Sequence, residues 1–180
     1  MIGFPIGLAY HGYPMRHPVS NEDREEDDWQ FFAEAIKAWR AWRVIDYDGV
    51  LVLRSITYQT NWLPRQEMIA QCVPDSLSLE KAQTSHAAPD LEHGCGIYSL
   101  KNREDALTWS EFSGKLGTTV YGTVSIWGHA FKFTKGYISE FAYPSSLFVK
   151  QIGEDLSGNV DSKELAMILA ETYRIEAVPE

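Results

Sequence analysis

The stretch "WRVIDYDGVLVLRSI", residues 42–56, places Asp48-Gly49 between two runs rich in aliphatic and β-branched residues. A two-residue hairpin loop of type I′ needs positive φ at both central residues, and Asp-Gly supplies it. The pair predicts an antiparallel hairpin centred on residue 48. A hairpin also commits the chain to a sheet whose strands are sequence neighbours, without long helical crossovers.

The flanking segments extend this frame. In "DDWQFFAEAIKAWRAWRV", Trp29, Phe32, Ile36 and Trp39 fall at the 3–4 spacing of one helical face. Asp27 and Asp28 stand where a helix N-terminus favours negative charge. The pattern predicts a helix from about Asp28 to Ala41. A strand is expected over Glu67–Val73, ending near Cys72, and a second over Cys95–Leu100. Between them, residues 74–94 carry Pro, Ser, Asp, His and Gly and read as a long loop with a short helical turn; loops of that length are often functional or tethered by a metal.

"KNREDALTWSEFSG" predicts a short helix, with Asn102 as N-cap, Glu104 and Asp105 in the first turn and Gly114 at its end. "TTVYGTVSIWG" alternates: Val120, Gly122, Val124 and Ile126 line one face, Thr119, Tyr121, Thr123 and Trp127 the other. "HAFKFTKGYISEFAYP" predicts a second hairpin about Lys135-Gly136, ended by Pro144. "DSKELAMILAETY" predicts an amphipathic helix with Asp161 and Glu164 as a capping box and Leu165, Ile168, Leu169 and Tyr173 as its stripe. The sum is an α+β fold: an antiparallel curved sheet or partly open β-barrel with peripheral helices. Residues 1–28 read as an irregular, acidic lead-in, and 29–180 as a single domain.

Composition agrees with one core. A length of 180 residues fits one domain, and six Trp, nine Tyr and eight Phe can bury large areas. Two cysteines do not make a disulfide framework, so a reducing cytoplasm is the expected compartment. The N-terminal twenty residues lack a basic leading segment and are broken by Pro5, His11, Pro14 and Pro18, unlike a signal peptide. No run approaches the ~20 apolar residues of a membrane helix.

The net charge of −9 is unevenly spread. Residues 21–28, "NEDREEDD", carry six acids and one arginine, and residues 97–150 carry four acids and six bases. The acidic run Glu22–Asp28 reads first as a solvated helix start. It also suits imitation of nucleic-acid phosphates in a basic groove of a partner. Direct nucleic-acid binding by the central sheet would use Arg40, Arg43, Arg54, Lys132 and Lys135 beside aromatics. The overall charge opposes it, because phosphate contacts supply most non-specific affinity.

The densest chemistry lies in "SHAAPDLEHGCGIYSL", residues 85–100. Cys72, His86, His93 and Cys95 form a candidate metal set, since structural zinc takes four N or S ligands in a tetrahedron. His93 and Cys95 are two apart, so extended backbone projects both to one face. Gly94 and Gly96 let the chain wrap closely there. The spacing C-x13-H-x6-H-x-C is not a standard zinc-knuckle pattern. The competing structural reading has Cys72 and Cys95 as small buried residues, with His86 and His93 exposed.

Cys95 is also a candidate nucleophile, with His93, His129 or His86 as its base and Asp90 or Glu140 orienting that base. Such chemistry needs a depressed thiol pKa and an oxyanion hole. Gly122 and Gly128 interrupt aromatic strands; they mark either sheet curvature or a ligand cleft lined by Tyr121, Trp127, His129 and Tyr137. No P-loop, HExxH or GxSxG motif is present. "DLSGNVDSKE" has its glycine at the fourth position from Asp155, where a calcium loop needs the sixth.

From about Trp42 to Val178 the chain resembles a family of uncharacterised bacterial proteins. The resemblance rests on "AWRVIDYDGVLVLRSI", Trp62, "AQC" ending at Cys72, "HAAP", "CGIYSL", "GTVSIWG", "KGYISEFAYP" and "ETYRIEAVP". In that family a second cysteine often stands two residues before the first of "CGIY", where this chain has His93. Since both residue types bind zinc, the resemblance implies a shared fold and a shared metal site, and no activity. The function expected from all of this is a non-catalytic, zinc-stabilised binding or accessory module that engages a protein or nucleoprotein partner. Its alternatives are a cysteine-dependent enzyme centred on Cys95 and an acidic inhibitor of a nucleic-acid-processing complex.

Overall fold

A computed structural model describes residues 24–58, 60–72, 86–91, 94–114, 117–150 and 161–180. Among the described residues, eight strands and two helices follow in the order β1 (Arg24–Tyr47), β2 (Val50–Ser55), β3 (Asn61–Trp62), β4 (Met68–Ile69), β5 (Ile97–Leu100), α1 (Arg103–Gly114), β6 (Thr119–Phe133), β7 (Gly136–Val149), α2 (Ser162–Tyr173) and β8 (Glu176–Pro179). The fold is a sheet-dominated α+β structure. All pairings are antiparallel except β8 on β7, which follows the α2 connection.

Both expected hairpins form. Asp48 and Gly49 take φ of 53° and 80°, and Tyr47 pairs with Val50 across them. Asp46 Oδ1 accepts from the Gly49 N–H at 2.8 Å, fixing the turn. Lys132 pairs with Tyr137 around the second turn. β1 pairs with β6 and β5, and β7 pairs with both as well, so β1, β6, β7 and β5 close a ring of pairings. β2 and β3 extend β1 on one side; β4 and β8 flank β7.

The helix expected over Asp28–Ala41 is a strand. β1 runs from Arg24 to Tyr47, starting inside the segment read as a lead-in. The 3–4 spacing has another origin here. Ile36 packs on the main core, whereas Trp39 packs on the opposite face against the α1 cluster. A strand covered on both faces places apolar residues on both, and the resulting intervals imitate a helical stripe. Bulges add to this: Phe32 and Ile36 pair with Gly128 and Ile126, so β1 advances four residues while β6 advances two.

Pro144 does not end its strand. β7 continues to Val149, and Pro144 sits at a register shift where Thr123 pairs with Ser146 and Val124 with Pro144. A bulge is where a strand tolerates a residue without an N–H. Of the strand expected over Glu67–Val73, the described residues to Cys72 show only Met68–Ile69, with Ala70 N–H donating onward to Glu140 O at 2.7 Å; Val73 lies outside the described residues.

Three apolar clusters hold the elements together. The largest joins Ala38, Trp42, Val44, Leu53, Val124, Ile126 and Leu147 to Leu165, Leu169 and Tyr173 of α2. The second packs Ala106 of α1 on Ala41, Leu100 and Tyr121. The third is small: Phe133 and Ile138, with Leu91, Tyr98 and Phe131 against them. α2 is capped as its sequence dictates, with Asp161 Oδ1 accepting from Glu164 N–H at 2.7 Å and Arg174 closing it in the left-handed region. Among the described residues, no helix is long and apolar enough to cross a membrane.

Candidate metal centre

The third cluster underlies the candidate site. Asp90 and Cys95 are joined by two backbone bonds, Asp90 N–H to Cys95 O at 3.3 Å and Cys95 N–H to Asp90 O at 3.1 Å. Gly94 adopts φ of 62°, and the Tyr98 hydroxyl donates to its carbonyl at 2.6 Å, fastening Gly94 to β5. Gly96 has φ of 135°; a Cβ there would stand 2.3 Å from Ile138 Cγ2 and 2.9 Å from Pro89 Cβ. The glycines beside Cys95 therefore permit close backbone approach, which presents the thiol at a fixed point.

Cys72, His86 and Cys95 meet at that point. Their ligand atoms all lie within 4.8 Å of one another, and His86 Nε2 is 3.2 Å from Cys95 Sγ. All three are half-buried. In a tetrahedral zinc site with Zn–S near 2.3 Å and Zn–N near 2.0–2.1 Å, neighbouring ligand atoms are about 3.6–3.8 Å apart. The observed separations need only small adjustments to reach that spacing, and a two-sulfur, one-imidazole donor set suits zinc. Cys95 Sγ also lies 3.9 Å from Asp90 O, a further orienting contact.

Three of the four residues expected from the sequence are thus brought together. The fourth, His93, lies outside the described residues, as do residues 73–85 of the long loop.

The electrostatics oppose a resting nucleophile. Burial, with contributions from the neighbouring Cys72 thiol and Asp90, pushes the Cys95 pKa up to about 11, although the Asp90 carbonyl acts the other way. An attacking cysteine needs the reverse shift. Among the described residues the histidine beside Cys95 is His86, while His129 has its own partner. Its Nδ1 lies 2.8 Å from Glu140 Oε2, which also accepts the His129 backbone N–H at 3.0 Å, and its ring edge meets Phe31.

The residues considered for an aromatic cleft are dispersed. Tyr121 is fully buried in the α1 cluster and bonded through its hydroxyl to Arg103 and Glu180. Trp127 stacks on Phe141 at 5.9 Å, and Tyr137 lies under the Lys101 ammonium at 5.7 Å. Gly122 serves packing, since a Cβ there would stand 1.9 Å from the Ser146 carbonyl oxygen. For the acidic run Glu22–Asp28, the described part is the backbone of β1 from Arg24 onward.

Sequence reasoning ranked one feature too low: Arg40. Its guanidinium lies 4.9 Å from the Trp62 ring centroid and donates to Tyr98 O and to Ser55 Oγ. Burial lowers its pKa to about 10, so it stays charged at neutral pH. An arginine between two tryptophans was the available signal, but spacing alone does not reveal which face becomes interior.

Comparison with protein-family models, with curated proteins and with solved structures returned no match for this chain.

Proposed function

We propose that Cys72, His86 and Cys95 bind one structural zinc ion, and that the protein is a non-catalytic binding or accessory module for a protein or nucleoprotein partner in the cytoplasm. The observation that carries the reading is the convergence of three ligand atoms within 4.8 Å from both ends of a long loop. Zinc would neutralise the Cys95 thiolate that burial disfavours in its absence, and would tie the loop to β5 and the small cluster beneath it. His93 is the residue proposed for the fourth position. The ring of pairings fits a partly open barrel. The resemblance to the "CGIY" family, with its implied metal, supports the same reading.

Elemental analysis of untagged protein should find about one zinc per chain. Cys72→Ala should release it and lower the melting temperature. Protein free of metal, with a melting temperature unmoved by chelator, would overturn the proposal. A pull-down at low and high salt then separates a partner held by charge from one held by apolar contact.

A further inference from the structure

The strand pair that carries the Asp48-Gly49 turn also sets two arginines side by side. Arg43 of β1 is directly opposite Arg54 of β2, so both side chains leave the same face of the sheet. Like charges in that relation are destabilising unless something offsets them.

Among the described residues no carboxylate does so. Neither arginine has an ion pair among the described residues. Arg43 Nη2 donates to Ile56 O at 3.3 Å, and Arg54 Nε donates to Asn61 Oδ1 at 2.7 Å. Both anchors are neutral: they orient the guanidinium groups and leave their charge uncompensated. Arg43 Nε is shut off from water with no acceptor, an unfavourable state for a charged donor. From residue 37 to 47 of β1 and throughout β2, the positions on this face hold no acid. Asp46 belongs to the other face and is engaged by Gly49, and Glu111 of α1 is engaged by Lys150 at 2.7 Å.

We propose that Arg43 and Arg54 form a receptor for one oxyanion, the phosphate of a small phosphorylated ligand or free phosphate. Guanidinium forks match phosphate oxygens in pairs, and neutral anchors hold the forks ready. A single phosphate fits the size of a two-arginine site, whereas the net charge of −9 repels an extended polyanion. The site is separate from the metal centre and does not depend on it.

The test is thermal unfolding of the full chain with phosphate titrated against chloride at matched ionic strength. Phosphate at ten times its dissociation constant should raise the wild-type melting temperature by roughly 3–6 °C. Arg43→Gln and Arg54→Gln should each lose that response. Arg54→Gln without phosphate should melt no lower than wild type, because the repulsion is gone. Arg54→Lys keeps the charge without the fork and should show a weakened response. Phosphorus NMR line broadening by the folded wild type gives a direct readout of binding that needs no variant. An unchanged wild-type melting temperature, or an equal response in the variants, overturns the site. Stabilisation by a single-stranded oligonucleotide with none by phosphate overturns the small-ligand assignment.

Discussion

Tyr173 shows how one hydroxyl can join distant parts of a chain. It accepts from the Leu53 N–H at 2.7 Å and donates to Trp62 O, linking α2 to β2 and β3 inside the main core. Tyr173→Phe leaves both backbone groups buried without a partner and should cost about 1–3 kcal/mol in urea unfolding. Burial raises the Tyr173 pKa from 10 to about 12. A raised pKa contributes stability that is fully present below the unfolded value and lost as pH rises through the folded one. Unfolding free energy should therefore fall between pH 10 and 12, and more shallowly in Tyr173→Phe. Tyr121, also raised to about 12 by burial and by Glu180, should keep part of the slope. At Cys95, with its pKa pushed up to about 11, alkylation of metal-free protein should be slow at neutral pH and accelerate toward pH 11. Rapid labelling near pH 6 would restore the cysteine-enzyme alternative.

Among the elements, the long strands depend on glycines at close approaches. Gly122 of β6 faces the backbone of β7, and a methyl group there would meet the Ser146 carbonyl oxygen at 1.9 Å. Backbone on the far side of a paired strand cannot swing away as a side chain would. Gly122→Ala should destabilise by about 3 kcal/mol in denaturant unfolding. Gly96→Ala should act differently, by displacing Ile138 and straining a positive φ directly beside Cys95. Its zinc affinity should drop along with its stability. The hairpins were legible because turn chemistry is local: Asp48-Gly49 needs nothing from the rest of the chain. The helices were legible for the same reason, since Asp161 caps Glu164 within one turn. β1 was not legible as a strand. Trp39 and Ile36 are apolar because α1 and the main core lie on opposite sides of them, a fact that belongs to the assembly.

At the level of the whole molecule, the two larger clusters are built without Cys72, His86 and Cys95, the proposed zinc ligands, which border the smallest one. Removing zinc should therefore lower the melting temperature while leaving the far-UV signature of the sheet in place. In hydrogen exchange, the amides of residues 86–91, 94 and 95 should lose protection on chelation, while those of β6 and β7 stay slow. Simultaneous loss of protection throughout would show that the site is needed for the global fold. By itself, the sequence determined both hairpin turns, the two helices and the Asp161 cap of α2, and it supplied Cys72, His86 and Cys95 as candidate ligands. These are consequences of short-range stereochemistry and side-chain type. Tertiary structure alone decided that β1 is a strand with apolar residues on both faces, that Pro144 lies inside β7 and that Arg43 faces Arg54. It also decided that Cys72 reaches His86 and Cys95 across the long loop. Each of those depends on contacts between residues far apart in the chain, whose spacing no local pattern encodes.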